Sequence, residues 1–183
     1  MKKILIIVFI AIPFLTYSQE NGEEIGRRWM YTSTSTIEFQ LNNQSGFSNQ
    51  PLEKGDGNGF EINSMHGVFL TKRIVFSLGT GINYNSNLDF QSVPLIVELK
   101  YYFKKYSNEN GLYVLLNTGK HLQIGDLDGG QTAKLGAGYV IKTYLGFDVC
   151  LELFAKSKTF TDKSKYEFSY NADSFGFALG IKL

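Results

Sequence analysis

Bulky apolar side chains recur along this chain at every second position. In Ser174–Leu183, Phe175, Phe177, Leu179, Ile181 and Leu183 share one face, opposite Gly176, Ala178, Gly180 and Lys182. Ile74, Phe76, Leu78, Ile82 and Tyr84 likewise oppose Val75, Ser77, Gly79, Gly81 and Asn83. Val93, Leu95, Val97, Leu99, Tyr101 and Phe103 oppose Glu98 and Lys100, and Leu135, Ala137, Tyr139 and Ile141 oppose Lys134, Gly136, Gly138 and Lys142. Phe147, Val149, Leu151 and Leu153 oppose Asp148, Cys150 and Glu152. A helix repeats every 3.6 residues and cannot hold such an alternation, so these five segments are predicted as strands. Met30–Asn42, Gly59–Leu70 and Gly111–Ile124 are less regular but share the pattern, for example Ile37, Phe39 and Leu41 against Glu38 and Gln40. The prediction is all-β, with eight strands.

The connections alternate in kind. Thr71–Arg73 and Lys142–Leu145 are tight, whereas Asn43–Asn58 and Ser157–Asn171 are long and polar. In an up-and-down barrel entered from the periplasm, the long connections are the first and seventh and the tight ones the second and sixth. Short periplasmic turns and longer outer loops follow that parity. Lys104–Asn110 is longer, and Asn85–Phe90 and Gly125–Gly130 shorter, than the rule predicts.

Residues 1–18 have the layout of a secretory signal peptide. Lys2 and Lys3 precede an apolar run, Ile4–Leu15, and small residues at Thr16 and Ser18 set cleavage before Gln19. Twelve apolar residues fall short of the ~20 of a spanning helix. The expected organisation is a signal peptide at 1–18, a periplasmic segment at 19–29 and a barrel at 30–183.

Composition narrows the function classes. With 18 Lys+Arg against 17 Asp+Glu, the chain has no electrostatic excess for nucleic acid. One cysteine, Cys150, excludes an internal disulfide or a Cys-based zinc cluster, and two histidines leave little for a His-rich site. No metal and no cofactor is expected.

Alternation alone leaves open which face points inward. An eight-stranded barrel has an interior just wide enough for side chains to fill it. Leu and Phe at every inward position would overfill that space, whereas Gly, Ala and Ser fit. Glycine pairs such as Gly79/Gly81, Gly136/Gly138 and Gly176/Gly180 would also weaken a water-facing exterior without benefit. Aromatics near strand ends, including Trp29, Tyr31, Tyr84, Tyr101, Phe103, Tyr139, Phe147, Phe168 and Tyr170, suit girdles at two membrane interfaces. The expectation is a transmembrane barrel with its large residues facing lipid.

The leader, the eight strands, the Gly-x-Gly strand centres, Val93-Pro94-Leu95 running into Leu99-Lys100-Tyr101-Tyr102-Phe103, and the closing Phe175–Leu183 resemble the small outer-membrane β-barrel proteins of the OmpA/OmpX type. The resemblance covers residues 30–183. It implies an eight-stranded antiparallel up-and-down barrel in the outer membrane of a Gram-negative cell, in contact with outer-membrane lipid and lipopolysaccharide and inserted by the barrel-assembly machinery. In that family the last residue is aromatic; here it is Leu183. The scaffold is shared by adhesins, structural anchors, narrow pores and a few lipid-modifying enzymes, so it carries no single chemistry.

Three sets of residues are candidates for a function. The polar face carries Glu38, Glu98, Lys100, Lys134, Asp148, Glu152 and Lys182, together with Lys142 and Lys156. Enclosed in a lumen, such charges must pair, because an isolated buried charge is very costly. They would form a salt-bridged plug, or, alternatively, a charge-gated path. Second, Ser64 and His66 share the apolar face of Phe60, Ile62, Val68 and Leu70, where they could serve a lipid-modifying enzyme as nucleophile and base, with a carboxylate from a neighbouring strand. Third, loops 43–58 and 157–171 are the expected contact surface for an extracellular ligand, since loops on a rigid scaffold carry binding. The expected function is a non-enzymatic outer-membrane barrel without a wide pore. The alternatives are a lipid-modifying enzyme and a soluble periplasmic barrel carrying an apolar ligand.

Overall fold

The computed structural model describes residues 30–47, 59–85, 90–104, 110–122, 129–162 and 168–183. The expected signal peptide and the 19–29 segment lie outside them. Eight strands follow in order: β1 (Tyr31–Phe47), β2 (Gly59–Phe69), β3 (Ile74–Asn85), β4 (Phe90–Tyr102), β5 (Gly111–Leu122), β6 (Gly130–Ile141), β7 (Asp148–Asp162) and β8 (Phe168–Lys182). Each pairs antiparallel with its neighbour in sequence, and β8 closes on β1 from Thr34↔Lys182 to Phe47↔Tyr170. Backbone bonds from Ser33 N to Leu183 O (3.1 Å) and from Leu183 N to Ser33 O (2.8 Å) extend that seam to the last residue. Closure removes the sheet edges that an open β-protein must protect.

The predicted alternation is the wall of this barrel. Phe175, Phe177, Leu179 and Ile181 are exposed on the outside, and Ala178 and Lys182 are buried within. On β4, Leu95, Val97, Leu99 and Tyr101 face out while Ile96, Glu98, Lys100 and Tyr102 are buried. Charge is therefore inside and hydrocarbon outside, the reverse of a water-soluble fold. Buried tyrosine and phenylalanine rings also enter the lumen, which the small-residue expectation missed. Glycines seat them: a Cβ at Gly138 would stand 2.4 Å from Tyr113 Cζ, and one at Gly176 would stand 2.5 Å from Phe154 Cζ.

The start of β1, the end of β8 and the tight turns share one end of the barrel. In the β2–β3 turn, Thr71 Oγ1 accepts bonds from the backbone N–H of Arg73 (3.2 Å) and Ile74 (3.1 Å). In the β6–β7 turn, Gly146 has φ 80°, a left-handed conformation that glycine adopts without strain.

At the opposite end the strands run further than the sequence pattern predicts. β1 continues through a bulge at Asn42/Gln44 to Phe47. β7 and β8 stay paired from Ser157↔Asp173 to Asp162↔Phe168. The segments expected as loops at 43–58 and 157–171 are thus partly strand, leaving 48–58 and 163–167 outside the described residues. Their polar composition concealed the alternation, because strands of 15 and 17 residues exceed the ~9–11 needed to cross hydrocarbon and their ends can be polar.

Candidate functional site

The lumen is filled in three layers. At the end that carries the tight turns, Phe69, Val75, Tyr102, Tyr113, Leu115, Val140 and Cys150 form an apolar floor. Tyr102 stacks on Phe69 (ring centroids 6.1 Å apart) and meets Tyr113 at a tilt (5.4 Å). The Lys182 ammonium lies over the Phe69 and Tyr102 rings at 5.0 and 4.8 Å and donates to the Tyr102 hydroxyl at 3.0 Å. Cation–π contact of this kind holds a charge that cannot reach water.

Above the floor sits a continuous ion network. Lys134 Nζ lies 2.6 Å from Glu38 Oε1 and 2.8 Å from Glu152 Oε2, and it caps the Phe154 ring at 4.5 Å. Lys100 Nζ is 3.3 Å from Glu98 and 3.5 Å from Glu152, over the Tyr113 ring at 4.7 Å. Tyr113 donates its hydroxyl proton to Glu152 Oε1 at 2.8 Å. Glu38 then passes the network upward through Lys156 (2.9 Å), which also bonds Glu61 at 2.8 Å.

The top layer is polar. Lys158 Nζ stands 3.1 Å from Glu61 and donates to Gln40 Oε1 (2.8 Å) and to Asn83 Oδ1. Ser92 Oγ and His121 Nδ1 are 2.8 Å apart, with the imidazole against Phe160. Four carboxylates, Glu38, Glu61, Glu98 and Glu152, meet four ammonium groups, Lys100, Lys134, Lys156 and Lys158, and all eight are buried. Their mutual neutralisation is what permits burial.

Of the seven residues singled out on the polar face, Glu38, Glu98, Lys100, Lys134 and Glu152 fall in one network. Lys182 lies in the floor beneath it. Asp148 stands apart at the start of β7, 2.7 Å from Lys142 and half-buried. Sequence reading missed Glu61, Lys158 and His121. Parity could have found Glu61, one residue from outward-facing Phe60, but Lys158 lay in a stretch taken for loop.

Ser64 and His66 sit on the outer wall, Ser64 midway along β2 and His66 two residues nearer the β2–β3 turn. Ser64 Oγ is 3.3 Å from His66 Nε2. The other ring nitrogen, Nδ1, meets the Tyr31 hydroxyl, whose ring stacks on the imidazole. The partner at Nδ1 is thus a phenol, where the sequence reading wanted a carboxylate. Among the described residues no group of three or more His, Cys, Asp or Glu side chains is arranged to hold a metal ion.

The wall and its filling place the chain beside known small barrels. It is similar to Neisserial surface protein A (NspA) at 13% identity, over 84% of this chain and 96% of that one, with a TM-score of 0.52. It also matches the outer membrane enzyme PagL at 11% identity over 79% and 97% (TM-score 0.47), and the N-terminal β-barrel domain of Pseudomonas aeruginosa OprF at 15% over 82% and 97% (0.39). The likeness to NspA is one of fold: the eight-stranded barrel expected from the sequence is the barrel observed. No family model matches the chain, and no curated protein does.

Proposed function

We propose that this protein is an integral outer-membrane β-barrel of a Gram-negative cell, closed to ion flow, with a structural or loop-mediated binding role and no enzymatic activity. One observation carries the reading: exposed Leu, Ile, Val and Phe form the outer wall while a neutralised Glu–Lys network fills the lumen. Hydrocarbon is the solvent that suits such an exterior. An aqueous channel would need lumen width that eight strands do not supply. A soluble carrier of an apolar ligand would need an apolar cavity, and the described lumen is occupied by charge above its aromatic floor. Contact with a ligand outside the cell would fall to the connections at 48–58 and 163–167 and the polar strand ends that bear them.

Three measurements on the full-length protein test this together. It should partition with the outer membrane, migrate differently on a denaturing gel before and after boiling, and give no steady conductance in a planar bilayer. Recovery in the soluble fraction would refute the membrane assignment, and steady conductance would refute the closed lumen.

The 3.3 Å approach of Ser64 and His66 favours a second reading, a lipid-modifying enzyme. Identical lipid A mass spectra from cells with wild type and with Ser64→Ala would end that alternative; a lost modification would establish it.

A further inference from the structure

We infer that the middle of the lumen is a binding site for one resident water molecule, held between the side-chain oxygens of Asn63 and Asn117. Both residues are buried, and neither Oδ1 meets a donor among the described residues. They belong to different strands, β2 and β5, yet line the same small cavity, which Thr34, Thr36, Glu98 and Met65 also border. The centre of a water-sized sphere has about 10 Å³ in which to move there. That is enough to admit a water molecule, and such a site needs two to four polar partners.

Donor chemistry selects the occupant. Two amide oxygens and the Glu98 carboxylate are acceptors, so the ligand must donate or be a cation. Lys100 and Lys134 border the same cavity, and the four buried carboxylates already face four buried ammonium groups. A further cation would sit against two ammonium groups with no unmatched carboxylate to offset it. Water donates twice, carries no charge and fits. An orphaned buried acceptor forfeits its hydration without replacement, so bridging both removes a penalty that apolar packing at this position would leave in place. The wall leaves space for one of the two amides: a Cβ at Gly81 would stand 2.1 Å from Asn63 Oδ1.

The inference rests on the closed lumen proposed above. Its test is water-to-protein magnetisation transfer by NMR on the full barrel in lipid nanodiscs. Slow, long-lived transfer to the Asn63 and Asn117 side-chain amides is expected, with little transfer to the floor residues Tyr113 and Leu115. In Asn63→Leu the transfer to Asn117 should fall at least several-fold, with heat-modifiable migration confirming that the variant is folded. Should Asn63→Leu not fold, Asn117→Leu read at Asn63 serves as the reciprocal variant. Silence at both amides in the folded wild type would overturn the water site alone. Rapid transfer along the whole lumen would overturn the closed-barrel reading. Amide resonances that shift when sodium is replaced by choline would show a bound cation instead.

Discussion

Lys134 on β6 reaches across the lumen to Glu38 on β1, with Nζ 2.6 Å from Oε1 and the two residues 96 positions apart in the chain. The two strands are not neighbours in the wall, so this contact ties opposite sides of the barrel. The same ammonium holds Glu152 on β7 at 2.8 Å. One lysine therefore neutralises parts of two carboxylates, and several consequences can be measured.

Lys134→Met should leave Glu38 and Glu152 buried with fewer partners, a loss of about 3–5 kcal/mol. Urea unfolding from detergent micelles would show it as a lowered midpoint. Pairing it with Glu152→Gln should cost less than the sum of the two single changes, because the groups share one network. The wild-type midpoint should move little between about 0.1 and about 1 M salt, since buried pairs are weakly screened.

On the outer wall, Leu153 is 71% exposed and flanked by outward-facing Leu151 and Ala155. If that wall lies in hydrocarbon, Leu153→Arg costs about 2–4 kcal/mol near the bilayer midplane. Tyr144→Arg, at a fully exposed position of the β6–β7 turn, should leave the midpoint close to wild type. Equal effects at the two sites, measured by unfolding from lipid vesicles, would contradict the lipid-facing assignment.

Glycines of the wall separate into those that seat a neighbour and those that do not. An alanine Cβ at Gly176 would lie 2.2 Å from the Phe39 carbonyl oxygen and 2.5 Å from Phe154 Cζ. Gly176→Ala should therefore destabilise by about 1–3 kcal/mol through overpacking. At Gly111 nothing lies within 4 Å of such a Cβ, and Gly111→Ala should be close to neutral. Comparison of their unfolding midpoints checks the difference.

Conductance tests the plug by layer. Reversing Glu98 and Lys100 together preserves net charge and should leave the bilayer silent if the lumen is shut by packing. Opening by that double reversal in a folded barrel would mean that charge placement gates a path. Tyr102→Ala with Tyr113→Ala removes two of the three rings of the floor, and the ion network above should still block steady current.

Much of the wall was legible in sequence because a strand has period two and each face meets a different solvent. Phe175 and Lys182 announce opposite faces without any tertiary information, as do Leu99 and Lys100. Composition and loop parity then reduced the architectures to a barrel, and the narrow interior of eight strands chose which face points inward. Sequence could not say who meets whom across the lumen. Partnership between Lys134 and Glu38, or Lys156 and Glu61, depends on closure and on the relative stagger of strands far apart in the chain. The inward rings of Tyr102, Tyr113 and Phe154 stood on the correct parity, but whether they fit depended on glycines such as Gly138 and Gly176 on adjacent strands. The polar ends of β1, β7 and β8 lacked an apolar face to mark them, and only backbone pairing revealed them as strand. Local periodicity thus determined the inside and the outside of this protein. Tertiary closure decided how its interior is filled, because charge pairing and ring packing act between residues that only the closed barrel brings together.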